Sequence, residues 1–157
     1  PDGAMKLRAT HAAACLLLAF VPAGHAETHR LDDSASQVFP PSAAWDWVPG
    51  SLRTGINTVH LNVRVVVRID TRAWAGRQGQ IYMVLPIDSD GRITAEWRAP
   101  GRLLDGRLVS GERALVFSGT VPGPVIEDTL HVRLTADART LVGDSQRLDF
   151  HFELDTP

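Results

Sequence analysis

A long alternating run between Asn57 and Asp70 constrains the fold of this chain more than any other stretch. Its odd-numbered positions are apolar and fall on one side of an extended chain: Val59, Leu61, Val63, Val65, Val67 and Ile69. The other side carries His60, Asn62, Arg64, Val66 and Arg68. Because successive side chains of a strand point to opposite faces, the run predicts one long strand with a buried face and a solvated face.

Shorter runs of the same kind follow, each bounded by turn residues. They predict strands at 80–85, 92–98, 102–109, 113–120, 126–136 and 147–155. Gly91, Gly101 and Gly111 lie in the gaps, where hairpin turns need a residue that accepts positive φ. No stretch after Asn57 has the 3.6-residue period of a helix. The sequence therefore predicts an all-β fold, a single antiparallel β-sandwich of the immunoglobulin-like type with about seven strands, over residues 57–157.

The first 26 residues have the three parts of a secretion signal. Lys6 and Arg8 give a positive n-region after Met5, and residues 12–21 form an apolar h-region. Residues 22–26 place small side chains at the −3 and −1 positions of a cleavage site after Ala26. We therefore expect residues 1–26 to be a leader and cleaved signal peptide, and the mature protein to be periplasmic or secreted from a bacterium.

Charge and cysteine content narrow the function classes. Cys15 is the only cysteine and lies in the predicted signal, so the mature domain has no disulfide. Most of the apolar run follows Cys15, which argues against a lipid anchor there. A formal net charge of −2 is too balanced for electrostatic capture of nucleic acid or a membrane surface. No later segment is long and apolar enough to predict a membrane span in the mature chain.

Residues 27–56 lack the alternation of the rest of the chain. They combine the polar stretch 32–34, the pair Pro40-Pro41 and the aromatic run 45–47, with one short strand expected at 36–39. We interpret 27–56 as an irregular N-terminal arm that is most mobile near Glu27 and packs at its tryptophans. An arm of this kind, or an open edge strand, gives a β-domain a means of binding a partner or a second copy of itself.

Tryptophan is abundant for a domain of this size and suggests one candidate site. Trp45, Trp47 and Trp74, exposed together, would form a stacking platform for sugars. The alternative is that these rings fill the ends of the sandwich or fasten the arm to it. Trp97 follows an alternating run and is expected in the core.

Three histidines give a second, weaker candidate. His60, His131 and His151 each lie within a predicted strand, on the face opposite its apolar residues. If those strands were neighbours, the imidazoles would converge as a metal site. Their sequence spacing gives no support for this, and isolated histidines on a solvated face explain them as well. We expect no metal and no cofactor.

Signatures of catalysis are missing from the sequence. It has no Gly-x-Ser-x-Gly elbow, no His-Glu-x-x-His pair and no phosphate loop. The adjacent acids Glu127 and Asp128 diverge on a strand and are expected in solvent. The sequence thus favours a non-enzymatic cell-envelope domain that binds an envelope or secreted protein. The alternatives are a carbohydrate-binding module that uses its tryptophans, and a metal-dependent or hydrolytic enzyme with its site on the histidine-bearing face.

Overall fold

The computed structural model describes residues 27–50, 57–87, 92–141 and 149–157. Within them the chain forms ten strands and a 3₁₀ turn at Arg72–Trp74. The strands are β1 Glu27–Arg30, β2 Gln37–Phe39, β3 Asp46–Trp47, β4 Thr58–Asp70, β5 Gln78–Val84, β6 Thr94–Arg98, β7 Gly106–Val109, β8 Arg113–Thr120, β9 Val125–Asp137 and β10 His151–Thr156. The predicted leader, residues 1–26, lies outside the described residues.

The strands form two antiparallel sheets. The four-stranded sheet has the order β1-β10-β5-β8, and the six-stranded sheet has the order β2-β4-β9-β6-β7, with β3 also paired to β4. Side chains from both sheets share one core, which includes Val67, Ile69, Ile81, Met83, Ile126, Leu134 and Leu154. The protein is therefore a β-sandwich, as predicted. Seven strands follow residue 57, and three more precede it.

Strand β4 is the long strand that the sequence pattern predicts, and it lies inside the larger sheet between β2 and β9. It pairs with β9 along its full length, from Thr58 opposite Asp137 to Asp70 opposite Val125. The alternation is confirmed, because Val59, Leu61, Val63, Val67 and Ile69 are buried. Val65 is only partly buried. It lies beside β2, where the exposed Val38 borders an opening of about 310 Å3 between the sheets.

The segment expected to be an irregular arm contributes strands to both sheets. β1 pairs with β10, and β2 and β3 pair with β4. β2 confirms the one short strand that the sequence predicts at 36–39. Leu31 is buried in the core, and its N–H donates to the carbonyl of Phe152 at 2.9 Å. The described part of this segment is therefore paired with both sheets, and the mobility expected near Glu27 stays a prediction. Strands of two to four residues are too short to show alternation, so their sequence carried no sign of the pairing.

No helix in the described residues has the length and apolar character that a bilayer span requires.

Candidate functional site

The tryptophans proposed as a sugar platform are not brought together. Trp47 pairs with Val59 near the beginning of β4, whereas Trp74 lies just beyond its end. Ten residues of strand between these points correspond to about 33 Å. Trp45 packs against the core, and Trp74 packs there too, with its ring 4.2 Å from that of His29. Of the three, Trp47 alone has a largely exposed side chain, at 48%.

The histidines are also separated. His60 and His131 lie on adjacent strands of the larger sheet, but His60 is opposite Thr135 and His131 is opposite Arg64, four residues away along the strand. His151 lies in the other sheet, where its Nε2 is 3.1 Å from a carboxylate oxygen of Glu153. In the part of the chain that the structure describes, no three His, Cys, Asp or Glu side chains group as metal ligands.

A set of basic side chains does converge, on the outer face of the six-stranded sheet. Arg64, His131 and Arg98 form one row, on β4, β9 and β6 respectively. Arg133 and Arg107 lie in the next row, on β9 and β7, on either side of Glu96 of β6. We call Arg64, Arg98, Arg107, His131 and Arg133 the cation face. All five are exposed.

Glu96 is the acid within these two rows, and it forms an ion pair with a single arginine. Its Oε1 lies 3.2 Å from Nε of Arg107 in an ion pair. Arg64, Arg98 and Arg133 form no salt bridge with any described residue. The guanidinium of Arg64 lies instead over the ring of Phe39, 5.4 Å from its centre. Neither Arg64 nor Arg98 has an acid as its strand partner, so no ion pair across the sheet accounts for this row.

The shape of this face is concave on both sides of the first row. An open depression of about 640 Å3 is lined by basic and acidic side chains together: Arg98, Arg107, His131, Arg133, Glu96 and Asp105. A second, of about 810 Å3, lies on the other side and is lined by Gln37, Val66, Gly101 and Thr129 among others. Phe39 and Val66 leave 37% of their surface exposed next to the arginines. The face therefore combines two depressions, basic side chains and exposed apolar side chains.

The outer face of the four-stranded sheet has the opposite character. Arg113 donates to both carboxylate oxygens of Asp155, at 3.2 and 2.9 Å, and lies over the ring of Tyr82. Thr28 donates to the same carboxylate at 2.7 Å. These hydrogen bonds, that from Arg113 above all, lower the pKa of Asp155. Because Arg113 is already paired with Asp155 and lies 3.8 Å from Glu153, this arginine belongs to an ion-pair cluster within the sheet.

The cation face was not predicted from the sequence. Its arginines occupy the polar positions of four alternating strands, and such positions are normally solvated. Predicting this face would require the strand register. Only the pairing of β4, β9, β6 and β7 shows that these basic side chains are neighbours. Comparison with models of protein families, with curated proteins and with solved structures gives no match.

Proposed function

We propose that this chain is an exported, non-enzymatic cell-envelope domain that acts by binding another protein, and that the outer face of the six-stranded sheet is its binding face. The observation that carries the proposal is the exposed row Arg64, His131 and Arg98, whose arginines form no ion pair with a described residue and lie beside exposed apolar side chains. Arginine and aromatic residues are enriched in protein interfaces, where they supply most of the binding energy.

The immunoglobulin-like type and the leader belong to the same proposal. In support of the type, the N-terminal segment passes from one sheet to the other: β1 pairs with β10, and β2 pairs with β4. Two antiparallel sheets with that edge arrangement are typical of small extracellular domains. In support of export, the n-region, h-region and small-residue site precede the domain in the correct order. The proposed location is the periplasm or the exterior of a bacterial cell.

A carbohydrate-binding module has less support from the geometry. Stacking platforms use several exposed rings, whereas Trp45 and Trp74 pack against the core. A metal-dependent enzyme has less support as well, because His151 lies in a different sheet from His60 and His131. The arginine-rich face favours recognition over both.

Photo-crosslinking in the native envelope tests the proposal. A photoreactive amino acid replaces Thr129, which lies on the outer face of the larger sheet, and in a matched variant it replaces Gln80, which is exposed on the smaller sheet. We expect a defined adduct with one protein from position 129 and none from position 80. A partner that crosslinks from position 80 alone would place the interface elsewhere, and an adduct of twice the chain mass would indicate self-association through an edge strand.

A further inference from the structure

We infer that the partner presents an extended acidic segment to the cation face, with its carboxylates paired to Arg64, Arg98 and Arg133. This inference rests on the proposed function, since it names the chemistry that the same face would recognise. It requires that the three guanidinium groups be free for a ligand. In the described residues they are exposed and make no ion pair.

The choice of a carboxylate follows from what the face already binds. Glu96 enters it from β6, and its carboxylate contacts Arg107 at 3.2 Å. Guanidinium groups bind carboxylates through parallel hydrogen bonds that ammonium groups cannot match. The chain as a whole has a net charge of −2, so the positive face is a local concentration of charge and not the overall composition. A carboxylate-bearing partner would supply the acids that Arg64, Arg98 and Arg133 lack as ion-pair partners among the described residues.

The choice of an extended segment follows from the spacing. His131 and Arg133 are two residues apart on β9, which corresponds to about 6.7 Å. Alternate residues of an extended partner segment have the same separation, so acids at every second position would reach both rows. Arg64 and Arg98 lie on either side of β9, two strand spacings or about 9.6 Å apart. An apolar residue of the segment would contact Phe39 or Val66.

The mixed charge of the surroundings favours a protein over a polyphosphate. Glu96 lies between Arg133 and Arg107, and Asp105 borders the same depression. Nucleic-acid interfaces are much more uniformly positive, because the phosphate backbone is a continuous negative charge. A peptide can place an acid over each free arginine and a neutral residue over each of these carboxylates.

Fluorescence anisotropy with a synthetic peptide tests the inference. The probe alternates Glu with Thr over eight residues, and the control peptide alternates Gln with Thr. We expect the mature protein to bind the first peptide at low ionic strength, with affinity falling as salt is added, and not to bind the second. The double variant Arg64→Gln with Arg98→Gln should weaken binding by about tenfold.

Two matched controls separate loss of charge from loss of fold. Arg72 and Arg139 are exposed and each pairs with an aspartate two residues earlier, so the double variant Arg72→Gln with Arg139→Gln removes the same charge outside the face. It should bind the Glu peptide as the unmodified protein does. The Arg64 and Arg98 double variant should melt within a few degrees of the parent, because both side chains are exposed. An equal loss of binding in both double variants would overturn the inference.

Two further results distinguish this inference from the proposed function. If the Glu peptide fails to bind while position 129 still crosslinks to a partner, the acidic segment is wrong and the binding face stands. If inorganic polyphosphate of matched charge binds more tightly than the peptide and depends on the same arginines, the face recognises polyanions in general, and the inference is again overturned.

Discussion

Asp128 shows how one buried acid shapes the surface next to the cation face. It is 9% exposed, and its carboxylate accepts from the N–H of Leu103 at 2.8 Å and from its neighbour Thr129 at 2.7 Å. Gly101 packs against that carboxylate so closely that a Cβ atom would overlap it. The expectation that Glu127 and Asp128 are both solvated is therefore wrong for Asp128. Alternation along a strand places one of any two adjacent residues inside.

Replacing Asp128 with alanine should lower the free energy of unfolding by about 1–3 kcal/mol, because the buried N–H of Leu103 loses its acceptor. Glu127→Ala is the matched control, since Glu127 is exposed and pairs with Arg68 on the surface. Its loss should be below about 1 kcal/mol. Chemical denaturation of both variants measures the difference, and equal losses would contradict the structural role of Asp128.

The Arg113–Asp155 pair should make stability depend on pH. Hydrogen bonds from Arg113 and Thr28 lower the pKa of Asp155 in the folded state. The stability that this pair contributes is therefore present above the unfolded aspartate pKa of about 3.9, and it is lost as the pH falls through the lowered folded value. Arg113→Gln should cost about 0.5–1 kcal/mol at neutral pH, a small amount because the guanidinium is 43% exposed.

Unfolding free energies measured from pH 7 down to pH 3 test this linkage. The gap between Arg113→Gln and the parent should narrow as Asp155 becomes protonated. Arg107→Gln removes a surface arginine whose partner, Glu96, is 59% exposed, and serves as the control. A constant gap over the whole pH range would show that Arg113 acts through its packing on Tyr82 and not through the carboxylate.

At the scale of the element, strand β4 offers adjacent positions with opposite environments. Val67 is fully buried, whereas Val66 is 37% exposed on the outer face. Val67→Asp should lower the free energy of unfolding by several kcal/mol, because an unpaired charge enters the core. Val66→Asp should change it by less than about 1 kcal/mol. Similar melting temperatures for the two variants would mean that the register of β4 is wrong.

The long strands could be predicted from the sequence because each carries its own alternation. Residues 113–120 were expected to be a strand, and β8 has those bounds. The strand expected at 102–109 is shorter, since β7 begins only at Gly106. Before it, the N–H groups of Leu103 and Leu104 are taken by Asp128 and by the carbonyl of Val116, which bends the chain out of the sheet.

Features that depend on pairing could not be predicted in the same way. β1 has four residues and β3 has two, so neither contains enough alternation to be recognised. The cation face could not be predicted for a related reason. Arg64 and Arg98 become neighbours of His131 only through the register of the strands. A single sequence shows which positions of a strand are polar. It does not show which polar positions of other strands will lie opposite them.

The N-terminal segment should contribute measurably to folding. Leu31 is 4% exposed and follows β1 into the core, so Leu31→Ala should lower the free energy of unfolding by about 2–5 kcal/mol. Val38→Ala is the control at an exposed apolar position of the same segment, with an expected loss below about 1 kcal/mol. If both variants were equally stable, residues 27–31 would be the free arm that the sequence suggests.

At the scale of the whole molecule, the two outer faces differ in how their arginines are paired. On the smaller sheet, Arg113 pairs with Glu153 and Asp155, and these ion pairs join β8 to β10 across β5. On the larger sheet, Arg64, Arg98 and Arg133 are exposed and form no ion pair with a described residue. The proposed binding face rests on these three arginines.

Export should leave this asymmetric domain whole. Cleavage after Ala26 would make Glu27 the first residue, and Glu27 is the residue of β1 that pairs with Thr156. All four pairs between β1 and β10 would then be retained. We therefore expect intact-mass spectrometry of the exported protein to show an N-terminus at Glu27 and no Cys15 peptide. Cleavage beyond Leu31 would remove a core residue, so it is not compatible with a stable domain.

Substitutions at the cleavage site test this directly. Ala26→Arg places a large side chain where signal peptidases require a small one, so the leader should remain attached and the mature form should disappear. His25→Arg adds the same side chain at the adjacent position, which has no such requirement, and should be processed normally. Processing of both variants, or recovery of a diacylated Cys15 peptide from the parent protein, would contradict cleavage after Ala26 and the expectation that Cys15 carries no lipid anchor.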